Sequence, residues 1–391
     1  MMASKVKRAD MLSYGKQWID DEDIQAVIEV LKGDYITQGP FIEQFEREVA
    51  EYVGAKYAVA FSNGTAALHG ACFAAQIGSG DEVITAPITF LASSNCVLYR
   101  GGVPVFADID MTTYNIDPRE IEAKVTPQTK AIIPVDFTGQ PAAMDRIMDI
   151  ADENQLIVIQ DAAHSLGASF AGKKVGSMAH MTMVSFHPVK HVTTGEGGII
   201  VTDNELYYKR LKLFRNHGMT RDRDELTKYD GPWYYEMLEL GYNYRMTDMQ
   251  AALGCSQFKK LDGFIKRRRE IASAYNKAFA SLPGLVIPSQ HEQAESSWHL
   301  YVLRWLPEYI RVNRKELVEQ MHAMNIGVNV HYIPVYLQPY YRRLGYNAGL
   351  CPNAELYYDT AMTLPLYPRM DDKDIDDVIE AVKEVYTRYR Q

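Results

Sequence analysis

The sequence lacks the features that tie a chain to an oxidising compartment, a membrane or a nucleic acid. Its four cysteines, Cys72, Cys96, Cys255 and Cys351, are scattered and show neither metal spacing nor a disulfide framework. That usage fits a reducing cytoplasm. No apolar run approaches the length of a membrane span. The basic start, Met1 to Arg8, has no apolar stretch behind it and does not read as a signal peptide. Basic residues do not dominate: 41 Lys and Arg against 50 Asp and Glu leave a net charge of −9, which excludes nucleic acid as the main partner and a basic membrane patch. Internal repeats and low-complexity linkers are also missing. A local anion site survives these exclusions, because backbone amides can build one without net positive charge.

What is present is an ordinary globular composition, 47% hydrophobic and 23% charged, in a chain of 391 residues that exceeds one usual core. One large and one smaller domain are expected, divided as residues 1–255, with an N-terminal arm 1–33, and 256–391. Asp20 to Asp23 cap a helix that Gly33 stops, and Phe41, Phe45, Val49 and Tyr52 mark a second helix face. Apolar strands then alternate with helices: Tyr57 to Phe61, Glu82 to Ala86, Val103 to Ala107, Ala131 to Val135, Leu156 to Gln160 and Met181 to Phe186. Near-continuous apolar strands of this kind read as a mostly parallel sheet covered on both faces. Beyond it, strands at Leu300 to Trp305 and Gly327 to Tyr332 alternate with helices at Arg314 to Met324 and Asp374 to Arg388. The run Lys266-Arg267-Arg268-Arg269 reads as a solvated helix face.

Ligands of such sheets sit beyond the carboxyl ends of the strands. Four polar clusters lie there: Ser62 to Thr65, Thr89 and Phe90, Asp161 to His164, and Ser185 to Lys190. A strand that passes through Ser62-Asn63-Gly64-Thr65 into a helix presents free amides to an anion, although the same residues also serve as plain caps. Asp161 can pair with a ring nitrogen or cap a turn, and His164 can cover a ring or be structural. Phe90 can stack on a flat ring or belong to the core. Lys190 stands between two apolar strands, where it either snorkels to solvent or is used as a Schiff-base amine of depressed pKa.

The order of these pieces closely resembles the DegT/DnrJ/EryC1/StrS nucleotide-sugar aminotransferases. It runs from the Gly64-Thr65 helix start and Phe90 to Asp161-Ala162-Ala163-His164, Ser185 to Lys190, Gly195-Glu196-Gly197-Gly198 and Gly241 to Met246. The resemblance begins near Tyr14 and continues to the C-terminus. It implies an α/β architecture of PLP fold type I, aspartate-aminotransferase-like, with a smaller α+β C-terminal domain. It also implies pyridoxal 5'-phosphate as cofactor and a homodimer with shared active sites. By the same resemblance Lys190 is the Schiff-base lysine and the catalytic residue, and Asp161 is the partner of the pyridine nitrogen. Gly64, Thr65 and Ser185 form the phosphate cup, Asn243 reaches the phosphate from the other subunit, and Phe90 and His164 lie against the ring. Lysine rather than histidine at 190 sets the chain on the transaminase side of the family.

Tyr14, the Tyr35 to Gly39 loop, Phe186 to Lys190 and Val330 to Pro334 are similar to enzymes that aminate C4 of a UDP-4-keto-6-deoxy-N-acetylhexosamine in pseudaminic acid biosynthesis, with L-glutamate as donor. This implies sugar contacts from Tyr14, from Asp34, Tyr35, Ile36 and Thr37, and from Asn329, Val330, His331 and Tyr332. Gly195 is one departure, without effect on the chemistry. Competing readings are a C4 aminotransferase for a bacillosamine or aminoarabinose precursor, a C3 aminotransferase for a dTDP-keto-sugar, and a non-catalytic, PLP-binding regulatory or structural protein on the same scaffold.

Overall fold

The computed structural model describes residues 8–391, so the basic start up to Lys7 lies outside the described residues. After the helices α1 (Asp21–Lys32) and α2 (Pro40–Val53) the chain builds a sheet and covers it. Asp20 and Asp23 close α1 with a reciprocal capping box. The strands are β1 (Tyr57–Phe61), β2 (Glu82–Thr85), β3 (Val103–Phe106), β4 (Thr129–Ile133), β5 (Ile157–Asp161), β6 (Met181–Ser185) and β7 (Gly198–Thr202). Their order across the sheet is β1-β7-β6-β5-β4-β2-β3. Only β7 is antiparallel to its neighbours, β1 and β6. It follows β6 through the helix-free loop 186–197, which returns directly alongside β6 without the crossover helix that usually links parallel strands.

Helices α3 (Gly64–Ala74), α4 (Ala92–Tyr99), α5 (Met144–Asn154), α6 (Glu205–Arg215), α7 (Asp248–Phe258) and α8 (Leu261–Phe279) cover the two faces. One layer packs Phe61, Leu68, Phe73, Met183 and Phe214, and the other Phe45, Val49, Val184, Phe186 and Ile265. Gly70 of α3 has a positional reason: a Cβ there would meet Phe61 Cζ at 2.8 Å. The loop after α6 contains a two-residue ribbon, Met219–Thr220 with Glu236–Met237.

The C-terminal part is built on a three-stranded antiparallel sheet of Leu285–Val286, Tyr301–Trp305 and Ala361–Leu364. It packs against Arg314–Ala323, Asp372–Tyr389 and the distal half of α8. Leu12 joins this core from the other end of the sequence. The Leu12 amide donates to Asn325 O at 2.9 Å, the Gly327 amide to Leu12 O at 2.7 Å and the Leu366 amide to Tyr14 O at 3.0 Å. Among the described residues, no helix is long and apolar enough to cross a membrane.

Two sequence expectations are corrected. Gly327 to Tyr332 is not a strand: it makes a single isolated bridge, Asn329 against Thr363. The basic run on α8 is a solvated face only in part: Lys266 and Arg269 are exposed, but Arg268 is 1% exposed. Its Nη1 donates to Trp298 O at 3.3 Å, His299 O at 3.1 Å and Leu366 O at 2.9 Å. Arg268 falls four residues after Phe264 and four before Ala272, both buried, so the helical period carries it inward.

Candidate active site

Lys190 sits on the return loop between β6 and β7, and local hydrogen bonds fix that loop. The Phe186 amide donates to Gly197 O at 2.9 Å, and the Thr194 amide to Phe186 O at 3.0 Å. Thr193 Oγ1 donates to Phe186 O at 3.0 Å and accepts from the Gly195 amide at 2.9 Å. Gly195 takes φ +78°, the left-handed region that favours glycine. The Lys190 amide closes a turn on His187 O at 2.9 Å, and the side chain joins the wall of a cavity of about 770 Å³. Burial pushes the amine pKa down to about 8; Asp161 opposes this shift and Arg268 adds to it.

Asp161 ends β5 with its carboxyl group buried. Ser93 Oγ donates to Oδ2 at 2.6 Å and the Ala163 amide to Oδ1 at 3.1 Å. Ser93 Oγ is itself 2.7 Å from Thr89 Oγ1. Burial raises the Asp161 pKa, while the Ser93 and Ala163 bonds and the charge of Lys190 offset part of that rise.

At another part of the wall α3 begins. Asn63 Oδ1 caps the Ala66 amide at 2.8 Å, and the amides of Gly64 and Thr65 lie in the first turn, outside the helical ladder. Gly64 faces Ser185: a Cβ on it would stand 3.3 Å from Ser185 Oγ. Gly198 of β7 presses on the same turn, where a Cβ would meet Asn63 C at 2.6 Å and Gly64 Cα at 2.7 Å.

Aromatic rings line another part of the wall. His164 Nε2 lies 3.4 Å from Tyr332 Oη, and its Nδ1 is a buried polar atom without a partner among the described residues. His331 Nδ1 is 2.9 Å from Thr363 Oγ1, and the Tyr14 ring centre is 5.1 Å from that of His331. Burial lowers the His164 pKa well below the usual value and that of His331 to about 3, so both rings are neutral. Phe90 is 60% exposed, which removes the reading of it as a core aromatic.

The structure therefore gathers Tyr14, Gly64, Thr65, Phe90, Asp161, His164, Ser185, Lys190, Asn329, Val330, His331 and Tyr332 around one cavity. It does not bring Asp34, Tyr35, Ile36, Thr37 or Asn243 to that cavity of the same chain. Those five side chains are exposed. Thr37 is bridged to Thr247, the Asp248 amide donates to Ile36 O at 3.1 Å, and Asn243 is bridged to Asn216, which places both groups near one another on the surface. Sequence reasoning missed Ser93 and His299. Ser93 carries the faint signal of lying four residues after Thr89 in a cluster already singled out; His299 carries none.

An anion-binding helix start, a buried carboxylate, a lysine of depressed pKa and an exposed aromatic ring fit a flat, phosphorylated heteroaromatic aldehyde. The comparisons agree. Residues 17–383 match the DegT/DnrJ/EryC1/StrS aminotransferase family. The spore coat polysaccharide biosynthesis protein SpsC of Bacillus subtilis is 45% identical over 381 residues, covering 97% of this chain and 98% of that protein. The structure of Helicobacter pylori PseC, an aminotransferase involved in the biosynthesis of pseudaminic acid, superposes with a TM-score of 0.90 at 31% identity, covering 97% of this chain and 100% of that one. Spr1654 of Streptococcus pneumoniae, solved in a PLP-form, gives a TM-score of 0.90 at 29% identity, covering 97% of this chain and 99% of that one; it has also been solved in a PMP-form. With the family match spanning nearly the whole chain and the lysine, carboxylate and helix start meeting in one cavity, this chain is a member of the DegT/DnrJ/EryC1/StrS aminotransferase family.

Proposed function

We propose that the chain transfers an amino group from L-glutamate to C4 of a UDP-4-keto-6-deoxy-N-acetylhexosamine, giving UDP-4-amino-4,6-dideoxy-N-acetyl-β-L-altrosamine. The observation that carries the reaction class is the shared cavity of Lys190, Asp161 and the α3 start. Pyridoxal phosphate, the family's cofactor, supplies an electron sink for the carbon next to the transferred nitrogen. The amides of Gly64 and Thr65 and the Ser185 hydroxyl would hold its phosphate. Asp161, whose charged form is favoured by the Ser93 and Ala163 hydrogen bonds, would hold a proton at the ring nitrogen. Phe90 and His164 would lie against the ring.

Lys190 Nζ is the group that takes a proton from the substrate carbon and returns one on the other side of the reaction. Its pKa of about 8 leaves a share of the amine neutral at neutral pH. Tyr14, Asn329, His331 and Tyr332 offer hydrogen bonds to the sugar and narrow the access of water. The exposure of Asn243 and of Asp34 to Thr37 supports a homodimer in which these residues reach the partner's cavity. The division into 1–255 and 256–391 belongs to the same proposal.

The name of PseC supports the pseudaminic-type substrate. A second reading, a keto-sugar destined for another surface polysaccharide, is favoured by the higher identity to SpsC. The test is the absorbance spectrum of the purified protein with pyridoxal phosphate, before and after L-glutamate, followed by a panel of UDP- and dTDP-keto-sugars. Bleaching by glutamate and recovery with the UDP-4-keto sugar support the proposal. Recovery only with a different sugar moves the assignment to the second reading, and an unchanged spectrum removes the aminotransferase half-reaction with glutamate.

A further inference from the structure

Lys190 has a neighbour that the chemistry above does not use. His299 Nε2 lies 3.5 Å from Lys190 Nζ, and His299 is 4% exposed. The backbone around it is held by three hydrogen bonds. The Leu300 amide donates to Thr138 O at 3.1 Å, the Ser297 amide to Gly139 O at 3.0 Å, and Arg268 Nη1 reaches the His299 carbonyl at 3.1 Å. The same segment grips the lysine loop, since His191 Nε2 is 3.0 Å from Ser297 O and so donates to it. The place of the His299 ring next to the lysine amine is thus set by both halves of the molecule.

We propose that His299 is a positioning residue for Lys190, accepting a hydrogen bond at Nε2 from the amine and so setting both its direction and its proton affinity. This rests on the reading of Lys190 given above. The groups that face the amine are Asp161 and His164 at the end of β5, His191 in its own loop, Arg268 of α8, His331 and His299. Asp161 carries the negative charge among them and Arg268 a positive one. Burial holds the four histidines neutral, His299 included, so its ring serves as an acceptor rather than a competing cation.

The test follows the rate at which the full-length protein captures pyridoxal phosphate, read by absorbance across a pH series. Capture requires the neutral amine, so the rate rises through the pKa of about 8. In His299→Leu the ammonium loses its acceptor without gaining water, and the midpoint falls by about one pH unit. In His299→Gln the amide oxygen can stand where Nε2 stood, and the midpoint returns close to the wild-type value. Should the leucine variant not fold, His299→Asn, one methylene shorter than glutamine, gives the lowered midpoint in its place. Equal midpoints in all variants, with capture intact, overturn the positioning role alone. A wild-type protein that captures no cofactor overturns the reading of Lys190 and this role with it.

Discussion

Ser93 Oγ donates a 2.6 Å hydrogen bond to Asp161 Oδ2, across 68 residues of sequence. Burial raises the Asp161 pKa and this bond pulls it back, so the hydroxyl helps to keep the carboxylate charged. Ser93→Ala removes the pull. The carboxyl group then takes up its proton at a higher pH, and the acidic limb of the pH-rate profile moves upward by about one unit. Activity well above that limb is largely kept. A pH profile of the glutamate half-reaction checks this, and an unmoved acidic limb would show that Asp161 needs no help from Ser93.

Arg268 gives three hydrogen bonds to backbone carbonyls from a site that water does not reach. Arg268→Leu leaves those oxygens without their donor and should cost about 3 kcal/mol or more in denaturant unfolding. Arg268→Lys restores the charge but not the spread of the fork, so it recovers only part of the loss. Because Arg268 helps to lower the Lys190 pKa, Arg268→Leu also raises the pH at which cofactor capture reaches half its maximum.

Gly198 and Gly195 lie three residues apart and should answer differently to alanine. A Cβ at Gly198 runs into the backbone of Asn63 and Gly64, pushing the first turn of α3 away from the cavity. Gly198→Ala should weaken pyridoxal phosphate binding by about tenfold or more, measured by equilibrium titration. A Cβ at Gly195 meets nothing within 4 Å, and only its φ of +78° resists substitution. Gly195→Ala should cost about 1 kcal/mol of stability and leave cofactor affinity close to that of the parent protein.

If Asn243 serves the partner's cavity, two inactive variants can repair one another. Lys190→Ala and Asn243→Ala, unfolded together and refolded as a mixture, should regain on the order of one quarter of wild-type activity, because half the dimers are mixed and each of those holds one intact site. No regain, with mixed dimers shown by mass, would place Asn243 in the site of its own chain.

Much of this was legible in the sequence where chemistry follows local order. The apolar run Met181 to Phe186, the turn at Ser62 to Thr65 and the strand ending at Asp161 each carry their signal within a few residues, and the structure sets them side by side. Arg268 was misread because a run of four basic residues hides one member that falls on the apolar stripe of its helix. Gly327 to Tyr332 has the composition of a strand but pairs with Thr363 only through a single bridge at Asn329, a matter of what lies beside it rather than of its own residues. Ser93 offered only its place four residues after Thr89, and His299 offered nothing, since each acquires its role by meeting a residue 68 or 109 positions away.

The pairing of Leu12 and Tyr14 with Gly327 and Leu366 has a consequence for the birth of the protein. Tyr14 is synthesised long before Leu366, so it leaves the ribosome before its seat is made. At ordinary translation speeds the arm waits roughly 20 to 70 s for Leu366 to arrive. The first turn of α3 can pack against β6 and β7 while synthesis continues, but Tyr14 cannot dock until Leu366 has been made. A nascent or prematurely ended polypeptide would thus carry the residues of the lysine loop while Tyr14 stays undocked.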